Sequence, residues 1–504
     1  MKRIIYLFLL LLVCSSCFDD FLTQKPETKA TNNNFWKDAR DVQSATDGLH
    51  ALFRDVFGGV TVRLYRERAM PFDYLSPTWR YIAENDLTRT FKPDDPALSW
   101  YYEYQVIAQA NLIIDNIDRA NLTEEQYNMY LGQALTLRAY TYFYIIRIWG
   151  DAPLVSHSED VGEKARESSL VIADFVTNDL IKAAKILPPA GYLKDHNGAM
   201  ILSKQYCSRG TANAILAHLY AWRVGVYKES ELLAKAIAAC DDVINSGDYV
   251  LADNIKDLCN IVLKGNSREG IFEVGFFDLP DEFNRSGSCM AGVCQKWPVD
   301  ALATPATRRT LLRLDYETAK EMFDGTARWN EYFYMPDSMA TLPTTTTQGA
   351  VYIQKFRFPL TYADGSQVGK IRGYNQNEII IRLADIILLR AELQALAGNS
   401  AGAITDLNTI RKRAGAPLYS SNENLTIAIQ DERDKELFLE GFSRQYFDAV
   451  RTGLFRERLK GGFKNLTDQE VDDGAYYLPV STDFFRFNSL ATQTPYWERN
   501  GYSL

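Results

Sequence analysis

The stretch that most constrains the fold is residues 122–150, LTEEQYNMYLGQALTLRAYTYFYIIRIWG. Thr123 and Gln126 form a capping box at its start, and Gly150 stands at its end, where helices commonly place a glycine. Apolar residues recur between these caps at the spacings i, i+3 and i+4. The stretch therefore predicts one long helix with defined ends.

The same periodicity recurs along much of the chain. It predicts further helices over residues 35–57, 100–117, 209–224, 229–246, 378–397, 400–414 and about 425–454. The pair 378–414 turns at Gly398-Asn399, and its alanines would let the two helices approach closely. This pair is similar to a tetratricopeptide hairpin, although the spacing from one pair to the next is irregular.

Residues 250–377 interrupt the helical framework, because they are rich in glycine, proline, threonine and aromatic residues. Ile271–Phe277 and Ala350–Phe358 are predicted to form short strands there. The predicted fold class is mainly α, a tetratricopeptide-like helix-pair scaffold with a large irregular insertion carrying short strands. We place the scaffold at about 35–250 and 378–504, and both parts in a single domain.

The first residues predict export. Lys2 and Arg3 precede an uninterrupted apolar run over residues 4–13. A membrane-spanning helix needs about 20 apolar residues, so this run is too short to span a bilayer. Residues 1–16 are therefore predicted to be a signal peptide.

The end of this signal is similar to a bacterial lipoprotein box, in which a cysteine becomes the lipidated first residue. Ser16 is small and Cys17 follows it, although Cys14 stands where leucine is usual. Residues 17–34 would then form a lipid-anchored tether, and Asp19-Asp20 resembles the acidic surface-export signal of Bacteroidota lipoproteins. The alternative is a plain secreted protein with a spare cysteine.

Composition excludes some functions. The 504-residue chain carries a formal net charge of −9, which argues against nucleic-acid binding. No later apolar run is long enough to span a membrane, and four scattered histidines without a C-x-x-C pair predict no metal site and no cofactor.

Five cysteines remain once Cys14 is removed and Cys17 is lipidated. They are Cys207, Cys240, Cys259, Cys289 and Cys294. Because the number is odd, at least one is a free thiol or pairs between chains. Cys289 and Cys294 could close a small loop in an oxidising compartment, or both could remain thiols.

Three glutamates, Glu432, Glu436 and Glu440, stand four residues apart in a stretch predicted to be helical, and Arg444 and Asp448 continue this spacing. Paired carboxylates are the usual equipment for glycoside hydrolysis. Like charges four residues apart destabilise a helix unless cations pair with them, and one straight helix cannot flank a sugar bond from both sides.

We therefore predict structural ion pairing and no catalytic residue. Arg433, Lys435 and Arg444 are near in sequence, and residues 411–413 at the end of the preceding helix could supply further cations. The sequence contains no G-x-S-x-G elbow, no phosphate loop and no H-E-x-x-H motif.

Six groups of stretches together carry a family resemblance. They are CFDDFLTQKPETKATNNNFW, QALTLRAYTYFYIIRIWGDAPLV, GTANAILAHLYAW with VINSGDYVL, IIIRLADIILLRAE with LNTIRKRAG, ERDKELFLEGFSRQYFDAVRTG, and YYLPVSTDFF. In this order they resemble the SusD/RagB-type nutrient-binding outer-membrane lipoproteins over nearly the whole chain. The sequence departs from the family pattern at Cys14 and at NSLATQTPYW, where members usually finish with an Asn-Pro and Gly-Tyr ending.

The resemblance implies four tetratricopeptide-like helix pairs, a SusD-like domain over residues 35–504, and a variable ligand-binding region at about 250–377. It implies no catalysis. It also implies a partner, a SusC-type TonB-dependent β-barrel transporter, on which the lipoprotein acts as a lid at the outer membrane, facing the cell exterior.

The resemblance places ligand specificity in loops. In the starch-binding relative, the loop before the helix equivalent to that at Trp100 carries sugar-stacking aromatic residues. By position, Trp79 and Tyr81 are predicted to stack on sugar, and Arg80 and Asn85 to hydrogen-bond its hydroxyls.

The insertion is the second predicted source of ligand contacts, through Phe276, Phe277, Asn284 and Trp297. Phe276 and Phe277 alternate on a predicted strand, so only one of the two faces outward. Local packing is the alternative role for each of these residues. Trp329 resembles a scaffold position instead, and Trp100 is predicted to be part of a core helix.

The predicted function is glycan capture and delivery to the transporter. One alternative is the same lid role for peptides or another nutrient, and a more distant one is a surface glycosidase. Aromatic loops favour sugar only slightly over peptide, and they do not identify the glycan or its linkage.

Overall fold

The computed structural model describes residues 35–59, 73–74, 92–276, 312–341, 350–369, 371–374, 376–442, 444–459 and 461–503. Helices dominate these residues, in keeping with the predicted fold class. The helices are α1 Ala39–Phe57, α2 Tyr101–Asn116, α3 Glu124–Trp149, α4 Ser169–Ile186, α5 Arg209–Val226, α6 Leu233–Ile244, α7 Ile255–Asn260, α8 Tyr316–Phe323, α9 Ala327–Tyr332, α10 Pro336–Ala340, α11 Leu383–Leu396, α12 Ser400–Arg413, α13 Leu425–Glu436, α14 Arg444–Arg451, α15 Phe455–Arg458, α16 Asp468–Asp472, α17 Thr482–Phe485 and α18 Pro495–Arg499.

Short strands occur mainly between α7 and α11. The strands are β1 Asp73–Tyr74, β2 Gly270–Val274, β3 Leu312–Asp315, β4 Ala350–Val351, β5 Pro359–Thr361, β6 Ile371–Tyr374 and β7 Glu378–Arg382. They form an antiparallel sheet in the order β1-β3-β4 and two antiparallel pairs, β2 with β7 and β5 with β6.

The long helices pack one after another. Contacts join α1 to α2, α2 to α3, α3 to α4, α4 to α5, α5 to α6 and α6 to α11, which also packs on α12 and α13. Successive helix pairs therefore share one continuous core, which is how tetratricopeptide-like arrays bury faces that a single pair would expose. This arrangement confirms the predicted helix-pair scaffold. Helix α4 was not predicted.

Helix α3 lies at the centre of this array. Its capping box at Thr123 is present, and Gly150 ends it with φ 74°. A Cβ on Gly150 would lie 2.8 Å from a ring carbon of Tyr477, so only glycine fits there.

Every residue of α3 from Met129 to Trp149 is buried except Arg147. The buried polar side chains of Gln133 and Arg138 are hydrogen-bonded, as buried polar groups normally are.

One helix boundary and two strand predictions need correction. Residues 378–382, predicted as the start of a helix, form β7 and pair with β2. This Glu-Ile-Ile-Ile-Arg run is β-branched, and an available partner strand selects the extended form. The strand predicted over Ala350–Phe358 is shorter, with only Ala350–Val351 extended, and the predicted Ile271–Phe277 strand is observed as Gly270–Val274.

The predicted single helix over residues 425–454 is wrong. Helix α13 ends at Glu436 and α14 begins at Arg444. Between them Leu439 and Gly441 adopt left-handed backbone conformations, with φ 65° and 70°. The glycine permits this break, since it adopts positive φ without steric strain.

The insertion has an apolar core of its own. This second core combines residues of α7, α8 and α9 with Ile379, Ala414, Phe438 and Leu439 from the scaffold. The break between α13 and α14 therefore supplies side chains on which the insertion packs.

Candidate functional site

The predicted ligand contacts lie outside the described residues. They are Trp79, Arg80, Tyr81, Asn85, Phe277, Asn284 and Trp297. The predicted lipidation residue Cys17 also lies outside them. These assignments therefore remain predictions.

A short strand that precedes the Trp79 segment in sequence pairs with a strand that follows the Trp297 segment in sequence. Strand β1, at residues 73–74, pairs with β3 of the insertion, with Asp73 opposite Arg313 and Tyr74 opposite Leu312. The backbone just before Trp79 is thus held against the backbone that follows the Trp297 segment.

A pair of exposed tyrosines opens helix α2, and we call Tyr101 and Tyr102 the tyrosine pair. Their exposed fractions are 60% and 61%, and their ring centroids lie 5.3 Å apart in an edge-to-face arrangement. The preceding Trp100 is only 3% exposed, with its ring centroid 5.0 Å from that of Phe484 and 5.8 Å from that of Trp149. Burial of Trp100, as predicted, directs the next two side chains away from the core.

Sequence reasoning missed the tyrosine pair, although a signal was present. Trp100-Tyr101-Tyr102 is a run of three aromatic residues at a helix start. Consecutive helix positions point in directions about 100° apart, so three in a row cannot all lie on one buried stripe. The run alone predicts that part of it is exposed.

Phe276 has a packing role. It follows β2, its side chain is half-buried against the main core, and its amide donates to Asn377 Oδ1 at 3.1 Å. Trp329 is buried as well, but in the second core on α9 of the insertion and not in the predicted scaffold position.

The three spaced glutamates form a buried cluster, and we call Glu432, Glu436 and Glu440 the carboxylate cluster. Their exposed fractions are 2%, 0% and 5%. Glu440 lies beyond the end of α13, so the three do not share one helix face.

Cations from several elements surround the carboxylate cluster. Arg328 donates from Nη2 to Glu432 at 2.6 Å and to Glu436 at 2.5 Å. Arg382 lies 2.7 Å from Glu436 and donates from Nε to Glu440 at 2.6 Å.

Three further cations contact the cluster, and one of them, Arg411, lies 3.4 Å from Glu432. Lys355 Nζ donates to Glu440 at 2.6 Å, and Arg413 pairs with Glu436.

The predicted ion pairing is confirmed. Arg411 and Arg413 were among the expected partners. Arg433, also expected, pairs with Asp385 and Asp448 instead. Arg328, Lys355 and Arg382 are distant in sequence.

Neighbouring cations favour the charged form of Glu436 and Glu440. Burial alone would raise the pKa of Glu436, but Arg413, Arg382 and Arg328 overcome it and hold that pKa well below its usual range. Burial is likewise outweighed at Glu440, whose pKa is lowered by Arg382 and Lys355. Glycoside hydrolysis needs a carboxylic acid with a raised pKa that can reach the sugar, and neither of these carboxylates supplies one.

The cluster ties the insertion to the scaffold. Arg328 lies on α9 and Lys355 between β4 and β5, whereas Glu436 ends α13 of the scaffold. The arrangement is suited to holding two parts of a protein together.

No group of three metal-ligating side chains occurs in the described part of the chain. Cys207, Cys240 and Cys259 are buried free thiols, and burial raises the pKa of each of them. Cys289 and Cys294 lie outside the described residues.

Among the described helices, none has the length and apolar character needed to cross a membrane.

Comparison with known sequences relates this architecture to a protein family. Residues 316–497 match the sequence model of the SusD family, and residues 65–220 match a second one described as starch-binding associating with outer membrane. The SusD-like protein P38 of Formosa agariphila is 24% identical, with 93% of this chain and 95% of that protein aligned. A SusD-like protein of Bacteroides ovatus is 23% identical over 80% of this chain and 74% of its own length.

Solved structures agree with the sequence comparisons. A SusD homologue from Bacteroides thetaiotaomicron superimposes with a TM-score of 0.76 at 23% identity, covering 92% of this chain and all (100%) of the homologue. NanU from Bacteroides fragilis superimposes with a TM-score of 0.71 at 19% identity, covering 95% and 99% of the two chains. The fold is thus that of a helix-pair protein with a strand-bearing insertion. The chain is SusD-like in sequence and in fold.

Proposed function

We propose that this protein is a cell-surface glycan-binding lipoprotein that captures oligosaccharides or polysaccharides and delivers them to a SusC-type TonB-dependent β-barrel transporter. The observation that carries the proposal is the exposed tyrosine pair in a SusD-like chain. One matched family model is described as starch-binding, which supports a sugar ligand.

Aromatic rings suit this role because their flat apolar faces match the CH faces of sugars, while phenolic hydroxyls can hydrogen-bond at the rim. The tyrosine pair begins shortly after the segment that carries Trp79 and Tyr81. The β1–β3 pairing supports one ligand surface shared by that segment and the insertion. We assign Trp79, Arg80, Tyr81, Asn85, Phe277, Asn284 and Trp297 to this surface.

The insertion is the proposed source of specificity. Residues 221–315 fall between the two family matches, and Phe277, Asn284 and Trp297 lie within them. A segment that general family models do not match is a suitable place for ligand-specific contacts. We propose a single domain over residues 35–504, with the ligand-binding insertion at about 250–377.

The proposed location is the outer membrane. Residues 1–16 would be removed as a signal peptide, Cys17 would carry the lipid, and residues 17–34 would tether the domain outside the cell. The description of the second family model, which includes association with the outer membrane, supports this location.

The test is calorimetric titration of the purified protein with plant, host and microbial polysaccharides. Binding to one polymer class is the expected result. Binding to peptides with none to the polysaccharides would replace glycan by peptide as the cargo. Release of reducing sugar by the purified protein would contradict a purely binding role.

A single substitution tests the predicted stacking residue. We expect Trp79→Ala to abolish retention on affinity gels of the bound glycan, while the melting temperature stays nearly unchanged. Tyr192→Ala is the matched control, because Tyr192 is 65% exposed in the loop between α4 and α5. Equal retention of both variants, or unfolding of Trp79→Ala, would remove Trp79 from the site.

A further inference from the structure

A pocket lies in the helical scaffold, among α3, α5, β7, α11 and α14. Its volume is about 40 Å³, room for a few water-sized groups. Arg147 and Arg444 contribute to the lining, and Ile215, Ile380 and Phe442 form part of an apolar wall. Neither member of the tyrosine pair lines this pocket.

The guanidinium of Arg147 is held between two aromatic rings. Its central carbon lies 3.9 Å from the ring centroid of Phe143 and 4.1 Å from that of Phe447. Its Nε donates to the carbonyl oxygen of Phe143 at 3.1 Å. Among the described residues, none accepts a hydrogen bond from its Nη1 or Nη2. The faces of this planar group are therefore covered, while one edge keeps unused N–H donors.

Arg444 brings a further unused donor, its Nε, to the same pocket. Its Nη2 donates to the carbonyl oxygens of Leu437 and Glu440, at 2.9 and 2.6 Å. Its Nε is buried and has no hydrogen-bond partner within the described part of the chain. Buried polar groups are normally paired, so such a donor indicates a site for an acceptor.

The carboxylates of the pocket are already paired with other cations. Asp448 accepts from Arg433 Nε at 2.8 Å and pairs with Arg451 at 2.8 Å. Asp385 accepts from Arg433 at 2.8 Å and lies 3.1 Å from His218 Nε2. These two aspartates are thus committed to partners other than Arg147.

Charge around the pocket is therefore unbalanced. Arg451 also pairs with Glu392 at 2.7 Å. Four arginines are then set against three carboxylates: Arg147, Arg433, Arg444 and Arg451 against Asp385, Asp448 and Glu392. Burial lowers the pKa of Arg147 to about 10, and the nearby charge of Arg451 adds to that effect. A bound anion would offset the excess positive charge and raise the lowered pKa of Arg147.

We propose that this pocket binds a small organic carboxylate, with its two oxygens at the Nη edge of Arg147 and its apolar part against Ile215, Ile380 and Phe442. A carboxylate is planar and pairs with a guanidinium through two parallel hydrogen bonds. A doubly charged phosphate fits less well, because Asp385 and Asp448 lie in the same lining. This site goes beyond the proposed glycan function and does not depend on it.

Titration with simple probes tests the site. Benzoate and propionate are added to the purified protein at pH 7 and constant ionic strength, with benzamide and inorganic phosphate as comparators. We expect the carboxylates to raise the melting temperature by about 2–5 °C near saturation, and benzamide and phosphate to bind at least about tenfold more weakly. Equal effects of benzoate and benzamide, stronger binding of phosphate, or no effect of either carboxylate would overturn the proposal.

A conservative variant identifies the residue responsible. Arg147→Lys keeps a positive charge between the two rings but removes the planar fork. We expect it to weaken benzoate binding at least about tenfold, about 1.4 kcal/mol in binding free energy. Arg486→Lys is the matched control and should bind normally, because Arg486 is exposed and pairs only locally with Asp483. Unchanged binding by Arg147→Lys would contradict the assignment.

A crystallographic experiment on the unmodified protein covers the case in which Arg147→Lys fails to fold. Crystals soaked in 4-bromobenzoate should show anomalous bromine signal in the pocket, with the carboxylate facing Arg147. Bromine bound only elsewhere, or bound nowhere, would overturn the proposal.

Discussion

The carboxylate cluster and the tyrosine pair differ in burial and in pairing. Glu436 is fully buried and is paired with Arg328, Arg382 and Arg413. Tyr101 and Tyr102 are about three-fifths exposed and contact each other by their ring edges. The cluster contains carboxylates, as a hydrolase site does, but these carboxylates are already ion-paired. The tyrosines carry no carboxylate, but their rings are accessible to a ligand.

The difference shows that accessibility decides which residues can act on a ligand. A carboxylate that is held by buried guanidinium groups is stabilising only as long as every partner remains. An aromatic ring that the core leaves uncovered adds little to stability and is available for binding. Substitutions in the two regions should therefore have very different effects on the free energy of unfolding.

The largest expected effect on stability comes from the carboxylate cluster. Glu436→Gln removes one negative charge from among three arginines and leaves buried positive charge uncompensated. We expect a loss of about 3–5 kcal/mol in the free energy of unfolding. Denaturant unfolding, followed by circular dichroism, measures it.

The matched control is Glu321→Gln, because Glu321 is exposed on α8 and no ion pair involves it among the described residues. We expect this control to change the free energy of unfolding by less than about 0.5 kcal/mol. Similar stability of the two variants would mean that the cluster does not hold the insertion on the scaffold.

Another buried carboxylate, Glu273, sharpens the comparison, because no arginine among the described residues pairs with it. Glu273 accepts hydrogen bonds from the amide of Asn266 at 2.8 Å and from Asn377 Nδ2 at 2.7 Å. No described residue donates to its Oε1. Burial raises the pKa of Glu273 to about 7, although Asn377, Asn266 and Lys204 oppose that shift.

The sign of the pH effect follows from this raised pKa. Between its ordinary value of 4.5 and about 7, folded Glu273 binds a proton more readily than unfolded Glu273. Its contribution to stability is therefore fully present below pH 4.5 and is lost as the pH rises towards 7. The shift corresponds to about 3 kcal/mol, an order-of-magnitude figure.

Glu273→Gln removes this titration. We expect the variant to lose less stability than the unmodified protein when the pH is raised from 4.5 to 8, by up to about 3 kcal/mol. Urea unfolding at both pH values measures the difference, with Glu321→Gln again as the control. An identical pH dependence of Glu273→Gln and the unmodified protein would show that Glu273 is not protonated near neutral pH.

The smallest expected effect on stability comes from the tyrosine pair. We expect the double variant Tyr101→Ala/Tyr102→Ala to change the free energy of unfolding by less than about 0.5 kcal/mol, because both rings are largely exposed. Thermal unfolding checks this. A loss of several kcal/mol would mean that the two tyrosines belong to the core after all.

The helical scaffold could be predicted because its signals are local. Thr123, Gln126 and Gly150 bracket α3 in the sequence, and the structure has both caps. Residues 378–382 could not be assigned in this way, because an apolar β-branched run suits a strand or a buried helix equally well. Its extended form depends on β2, which is more than one hundred residues away in sequence.

The carboxylate cluster was only partly predictable for a similar reason. The need for cations follows from the spacing of the glutamates, and Arg413 lies near enough in sequence to be expected. Arg328 and Lys355 come from the insertion, so only the three-dimensional fold assigns them. The tyrosine pair was missed because helical periodicity was used to find the core and not to ask which residues the core leaves out.

The most direct test of the account is calorimetric titration of the double variant Tyr101→Ala/Tyr102→Ala with the polysaccharide that the unmodified protein binds. We expect the affinity to fall at least about tenfold, about 1.4 kcal/mol, while Tyr192→Ala binds normally. Affinity equal to that of the unmodified protein would contradict the claim that the exposed tyrosines form part of the glycan-binding surface.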